Sequence, residues 1–210
     1  MRREYKTQNI LPPPPAGYRW LEYIESTGTQ YIRTNITGAN EHWKWHIIVK
    51  PTYTNHTYCI LHGLYGIYGN MRIYALLGNN TASQQTIVFD YVCGSSYSRV
   101  EVSAIPIGTI IDVFEDFNSV TINGATYSLT KYNNSRTNKV TLMGSWMGSG
   151  ANDHPMGDGQ YHLFEIWDAN DVLKLQGIPA FRIADNKPGI YDIVNNQFYT
   201  NAGTGEFLYN

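Results

Sequence analysis

The residues best suited to chemistry cluster in one stretch, GSWMGSGANDHPMGDGQ at residues 144–160. Its glycines present Trp146, Asn152, Asp153, His154 and Asp158 on what reads as the least regular segment of the chain. An indole stacks on the apolar face of a sugar ring, amide and imidazole groups hydrogen-bond its hydroxyls, and carboxylates ligate hard cations. Calcium takes about six to eight oxygens, so Asp153 and Asp158 alone fall short of a site and would need ligands from elsewhere. The same composition also suits a plain connection that closes over a sheet edge, because Gly, Asn, Asp and Pro are ordinary turn formers. A glycan or partner contact is the functional expectation for this stretch. Calcium at Asp153 and Asp158 is the alternative, and no other cofactor is expected.

Catalysis has weaker footing. Glycoside hydrolysis needs two carboxyl groups aimed into one cleft. The nearest pairs are Glu165 with Asp168 and Glu115 with Asp116. Each pair has odd spacing, which on a strand sends the two side chains to opposite faces. Asp168 reads better as the start of a turn. The six histidines show no close pair of the zinc-binding kind, and the glycines punctuate strands instead of leading into a phosphate-binding helix. The expectation is a protein that is not an enzyme.

The elements that must position these residues read as strands. Residues 42–50 place Trp43, Trp45, Ile47 and Val49 on one face and Lys44, His46, Ile48 and Lys50 on the other. Residues 58–68 and 71–77 form a glycine-punctuated pair, and 87–93 alternates Ile87, Phe89, Tyr91 and Cys93 against Val88, Asp90 and Val92. Strands follow at 110–117 and 140–143, with a hairpin over 119–129 about Asn123-Gly124. Residues 161–167 and 172–175 flank a turn at 168–171, and 189–192 and 198–199 flank Asn195-Asn196. No stretch sustains a helical period, and 210 residues suit one sandwich-type domain.

Bulk properties exclude several partners. A net charge of −2 with 15% charged residues gives no electrostatic footprint for nucleic acid, and no run is apolar enough to insert into a membrane. Seventeen tyrosines and five tryptophans suit β-sheet packing or a sugar-stacking surface. Cys59 and Cys93 lie in apolar strand-like runs and read as buried thiols, with a single disulfide as the alternative. Four Asn-x-Ser/Thr sequons, at Asn35, Asn55, Asn79 and Asn133, are what an Asn- and Thr-rich chain carries by chance. Residues 1–17 form an expected extended arm ahead of a domain over 18–210. Arg2, Arg3, Ile10 and Leu11 are its gripping end, and the stiff run Pro12, Pro13, Pro14 and Pro15 is its spacer.

Two motifs carry a resemblance. IPAFRIADNKPGIYDIVNNQFYTNAGTGEF, residues 178–207, resembles the last strands of a laminin-G-like (concanavalin A-like) jelly-roll module, and LEYIESTGTQYI, residues 21–32, resembles its opening strand. Arg33 stands where an acidic residue usually follows. The resemblance spans nearly the whole chain and implies an all-β, two-sheet antiparallel jelly-roll sandwich. Such modules recur in bacteriophage virion proteins and gut-bacterial surface proteins. The opening residues MRREYKTQNI lack the apolar core of a secretory signal. The expectation is therefore a bacteriophage structural protein, made in the host cytoplasm and displayed on the virion surface as capsid decoration, fibre or tail. The arm would hold it to other virion proteins, and its loops would bind host or mucosal glycans, with a homo-oligomer allowed. The alternative is a carbohydrate-binding module of a bacterial secreted or surface protein; a glycoside hydrolase is less favoured.

Overall fold

Alternating apolar side chains make strands of this sequence because each strand buries one face and leaves the other to solvent or a second contact. A computed structural model describes residues 11–37, 42–52, 58–66, 69–77, 84–93, 96–130, 140–146, 153–155 and 158–210. For residues 58–66, 69–77, 90–93, 96–97, 144–146 and 153–155 it describes the backbone alone. The strands are β1 (Tyr18–Trp20), β2 (Ile24–Thr27), β3 (Ile32–Arg33), β4 (Lys44–Pro51), β5 (Tyr58–Gly66), β6 (Gly69–Leu77) and β7 (Gln84–Cys93). Next come β8 (Ser96–Pro106), β9 (Ile111–Asp116), β10 (Ser119–Ile122), β11 (Ala125–Ser128), β12 (Thr141–Leu142), β13 (Gly144–Trp146) and β14 (Asp153–Pro155). The last are β15 (Asp158–Trp167), β16 (Leu173–Arg182), β17 (Lys187–Asp192), β18 (Gln197–Thr200) and β19 (Leu208–Tyr209). No helix occurs among the described residues.

Two sheets pair throughout in antiparallel register. The larger runs β11-β10-β9-β4-β15-β16-β17-β18, with β1 against β16, β2 against β15 and β19 against β2. The smaller runs β3-β12-β5-β6-β7-β8, and β13 with β14 form a separate two-stranded ribbon. Between the main sheets lies one apolar core. Trp45, Ile47 and Val49 of β4, Val113 of β9, and Phe164 and Ile166 of β15 belong to it with Ile87 and Phe89 of β7 and Leu142 of β12. Trp43 joins them, as its phase with Trp45 predicts. Full burial of such side chains contributes about 1.5–3 kcal/mol each, which makes the alternation decisive for register. The aromatic residues of this core follow the packing reading of the composition.

The two resemblance motifs meet in space. Asn201 accepts from the Tyr31 amide at 3.1 Å and from the Gly203 amide at 2.8 Å, and its own Nδ2 donates to the Gly205 carbonyl at 2.8 Å. Ala202 donates to the Tyr31 carbonyl, and Thr204 to that of Thr29. Gly203 is required because a Cβ there would lie 2.0 Å from the Thr29 carbonyl oxygen. On the other side of this seam Gln30, 3% exposed, accepts from the Thr27 amide at 2.8 Å, closing the tight corner after β2. The Asn123-Gly124 hairpin forms as read, both residues having positive φ (48° and 85°).

Some features differ from the sequence reading. β8 was not foreseen, because its SYSRVEVSAIP alternates weakly. Ile48 and His46, on the face away from the core, are nevertheless buried at 7% and 2% exposure. Of the arm, Arg2, Arg3 and Ile10 lie outside the described residues. Leu11 and Pro12 to Pro15 have no regular structure. The Trp20 indole donates to the Pro12 carbonyl at 2.7 Å, and Gly17 accepts from the Ile183 amide at 2.9 Å. Cys59 and Cys93 sit in β5 and β7, with side chains outside the described set.

Candidate functional site

Residues 144–160 are not one loop. Trp146 ends β13, and Asp153 and His154 begin β14. The ribbon sets Trp146 opposite Asp153 and Ser145 opposite His154. Asn152 lies outside the described residues. Asp158 opens β15 opposite Thr27 and is fully buried, where a loop position had been expected. Its carbonyl accepts from the Thr52 amide, which binds this end of β15 to the chain leaving β4. Among the described residues no group of three or more His, Cys, Asp or Glu could hold a metal ion.

The acidic residues weighed for catalysis scatter as their spacing predicts. Glu115 is fully buried on the same face of β9 as Ile111 and Val113, while Asp116 lies on the opposite face near Lys44 (3.7 Å). Asp168 starts the β15–β16 turn, its Oδ1 accepting from the amides of Asn170 (2.9 Å) and Val172 (3.0 Å). Glu165 has a cross-strand partner that the linear sequence hides. β4 and β15 set His46 directly opposite Glu165, and His46 Nδ1 lies 2.8 Å from Glu165 Oε2. The other ring nitrogen, Nε2, lies 2.9 Å from Asp112 Oδ1 on β9, and Gln176 donates to Glu165 Oε1 at 2.9 Å.

Burial opposes the charged imidazole of His46, but the hydrogen bonds it donates to Asp112 and Glu165 outweigh it and raise its pKa to about 9. His46 is thus an imidazolium clamped between two carboxylates. With both nitrogens engaged and the His46 and Glu165 side chains each 3% exposed, the group has neither a lone pair nor an opening for a substrate. It is a framework element.

A cleft of about 570 Å³ opens instead at one end of the sandwich. Three sets of residues meet there because the β15–β16 and β17–β18 turns fall at the same end of neighbouring strands, where β3 also hands the chain over towards β4. Asn35, Ile36 and Thr37 come from the exit of β3, Asp168, Ala169 and Asn170 from the first turn, and Asn195 from the second. Lys174, Gln197, Trp43 and Tyr199 complete the lining. Trp43 and Tyr199 are buried and give the cleft a firm base, while Asn35, Asn170, Asn195 and Gln197 are exposed. The Tyr199 hydroxyl accepts from the Asn35 amide at 3.5 Å, and burial pushes its pKa up.

The rim is held by side chains that fold the turns. Lys174 Nζ lies 2.9 Å from Asp168 Oδ2, and this contact holds the Asp168 carboxyl below its usual range. Asn195 Nδ2 donates to the Lys174 carbonyl (2.7 Å) and to Asp192 Oδ2 (2.6 Å). Asp192, fully buried, also accepts from the amides of Gln176 and Val194. The side-chain amides of Asn35 and Asn170 make no hydrogen bond among the described residues, so both remain available to a ligand. Sequence reading noted Asn195 as a turn former and Asn35 as a sequon, but not that the fold brings them to one cleft.

No family profile and no curated protein matches the sequence. Solved structures do match. One is a candidate carbohydrate-binding protein of Bacteroides ovatus, with a TM-score of 0.56 at 10% identity; the match covers 91% of this chain and 60% of that one. Another is the native heptameric SAP-like pentraxin of Limulus polyphemus, with a TM-score of 0.48 at 11% identity, covering 72% of this chain and 75% of that one. The chain thus spans about three fifths of the Bacteroides protein. The likeness to it, with the all-antiparallel two-sheet topology, establishes the jelly-roll sandwich that the two motifs implied.

Proposed function

We propose that this chain is a non-enzymatic carbohydrate-binding jelly-roll domain and that the cleft between the β15–β16 and β17–β18 turns is its glycan site. The observation that carries this reading is the lining itself. Exposed amides, two of them uncommitted, surround a firm base of Trp43 and Tyr199, in a volume of about 570 Å³ that suits a small ligand. Amide groups both donate and accept, as sugar hydroxyls do, so they match such a ligand without ionic attraction. Asp168 is the one carboxylate lining the cleft among the described residues, and the turn engages it, which leaves no acid pair for hydrolysis. The role suggested for the Bacteroides protein agrees with this reading. Virion display, implied earlier by the resemblance, draws no support from either structural neighbour, so the bacterial carbohydrate-binding alternative is the one carried forward. Weak single sites gain strength when several copies engage one glycan surface, and a homo-oligomer would supply them.

A glycan array with the multivalently displayed protein tests this. Binding is expected, and it should fall in the Asn35→Ala, Asn170→Ala double variant while the melting temperature holds. Binding unchanged in that variant but lost in Trp146→Ala, Asp153→Ala would move the site to the β13–β14 ribbon. Binding abolished by calcium removal would revive the metal reading of Asp153 and Asp158.

A further inference from the structure

The charges in the cleft point to its ligand class. Among the described residues its ionisable side chains are Asp168, Lys174 and Tyr199. Lys174 is the cation on which an acidic sugar would have to rely, and it is already matched by Asp168 at 2.9 Å. Asp168 is held in place, because two backbone amides fix its Oδ1 at 2.9 and 3.0 Å. An incoming carboxylate would have to draw Lys174 off a carboxylate built into the turn, and would then lie beside that carboxylate's negative charge. A neutral sugar meets no such opposition, because the uncommitted groups around the rim include the side-chain amides of Asn35 and Asn170 and the side-chain oxygen of Gln197, the Gln197 Nε2 donating to the Phe198 carbonyl at 3.1 Å.

We propose that the cleft takes uncharged saccharides and rejects those carrying carboxylates, with the Asp168–Lys174 pair as the device that cancels its one positive charge. This rests on the glycan-binding reading of the same cleft and adds its selectivity.

Isothermal titration calorimetry on the full chain tests it. The probes are neutral tri- and tetrasaccharides of glucose, mannose, galactose and xylose, set beside oligogalacturonate and sialyllactose. A neutral probe should bind, with an affinity that changes less than about twofold between about 20 mM and 500 mM sodium chloride, since no net charge is engaged. The acidic probes should bind at least about tenfold more weakly. Asp168→Asn keeps an oxygen for the turn but frees Lys174, and should tighten acidic probes by about three- to tenfold, a gain that adding Lys174→Gln removes. Acidic probes binding the native chain as tightly as neutral ones would overturn the selectivity and leave glycan binding standing. So would an Asp168→Asn variant that is folded, by its circular dichroism, yet unchanged towards them. Failure of every probe to bind would overturn the selectivity and the glycan-binding reading together.

Discussion

Two of the ion pairs on the large sheet share a geometry and differ in setting. Lys174 and Asp168 sit at the cleft rim with side chains 39% and 14% exposed, 2.9 Å apart. His46 and Glu165 sit in the middle of the sheet, 3% exposed each and 2.8 Å apart. Distance alone would rank them together, but water separates them. At the rim, solvent screens the attraction and the pair is free to set the charge of a binding site. In the sheet, losing one partner strands a buried charge, so the pair becomes a condition of folding. Stability should therefore follow the buried bridge and binding the rim.

The largest effect expected from that contrast belongs to His46→Ala. It leaves the buried Glu165 carboxyl without its imidazolium partner, at a cost of about 3–5 kcal/mol, read as a lower urea midpoint. His46→Leu with Glu165→Leu should recover most of the loss, since an apolar pair of similar volume leaves no buried carboxyl behind and the remaining Asp112 side chain is 47% exposed to water. pH sharpens the test. The folded pKa of His46 is raised to about 9 from an ordinary 6.5, so its contribution is fully present below about pH 6.5 and is lost as pH rises through about 9. Unfolding free energies from urea titrations at pH 6 and pH 9.5 should differ by on the order of 2–3 kcal/mol in favour of pH 6, and the His46→Leu, Glu165→Leu variant should lose that difference. A native midpoint that rises towards pH 9.5 would exclude a charged His46.

Asn201 tests whether burial grades the effect. It is half-buried and ties the closing segment to the opening strand through the Tyr31 amide and the Gly205 carbonyl. Asn201→Ala strands those groups and should cost about 1–3 kcal/mol, less than the buried bridge. A cost equal to that of His46→Ala would show that connectivity, not burial, ranks the contacts.

Much of the scaffold was legible in the sequence, and the reason is local. The alternation in residues 42–50 fixed which side chains face the core, Asn123-Gly124 fixed a hairpin, and Asp168 announced a turn. The seam between residues 21–32 and 178–207 was legible only as a resemblance, because Asn201 and Tyr31 are far apart in the chain. The bridge was illegible for the same cause. In the linear sequence the near neighbour of Glu165 is Asp168, whereas its partner His46 comes from another strand, and only the β4–β15 register joins them. The cleft is the extreme case, assembled from the ends of β3, β15 and β17, so no window of sequence contains it. Residues 144–160 stand out by composition, which reports turn-forming capacity and carries no information about what converges on a site.

At the rim the expectations invert. Asn35→Ala with Asn170→Ala removes two exposed amides that hold no other side chain, so stability should stay within about 0.5 kcal/mol while affinity for a neutral saccharide falls about tenfold. Calorimetry beside thermal melts separates the two readouts, and a large loss of stability would mean that the amides belong to the framework after all.

The smallest effect is the one that most directly opposes the buried bridge. Lys174→Gln breaks an ion pair almost as short as that of His46, but Gln still reaches Asp168 with an amide donor, and solvent reaches both side chains. The turn survives because Asp168 Oδ1 holds the amides of Asn170 and Val172 whether or not Lys174 is present. Asn195 also keeps its backbone acceptor, since the Lys174 carbonyl is untouched by the substitution. The melting temperature should therefore move by less than about 2 °C, and raising salt should shift the native protein towards the variant. A shift as large as that of His46→Ala would mean that the rim pair is shielded from water, and Lys174 would then belong to the framework along with Glu165.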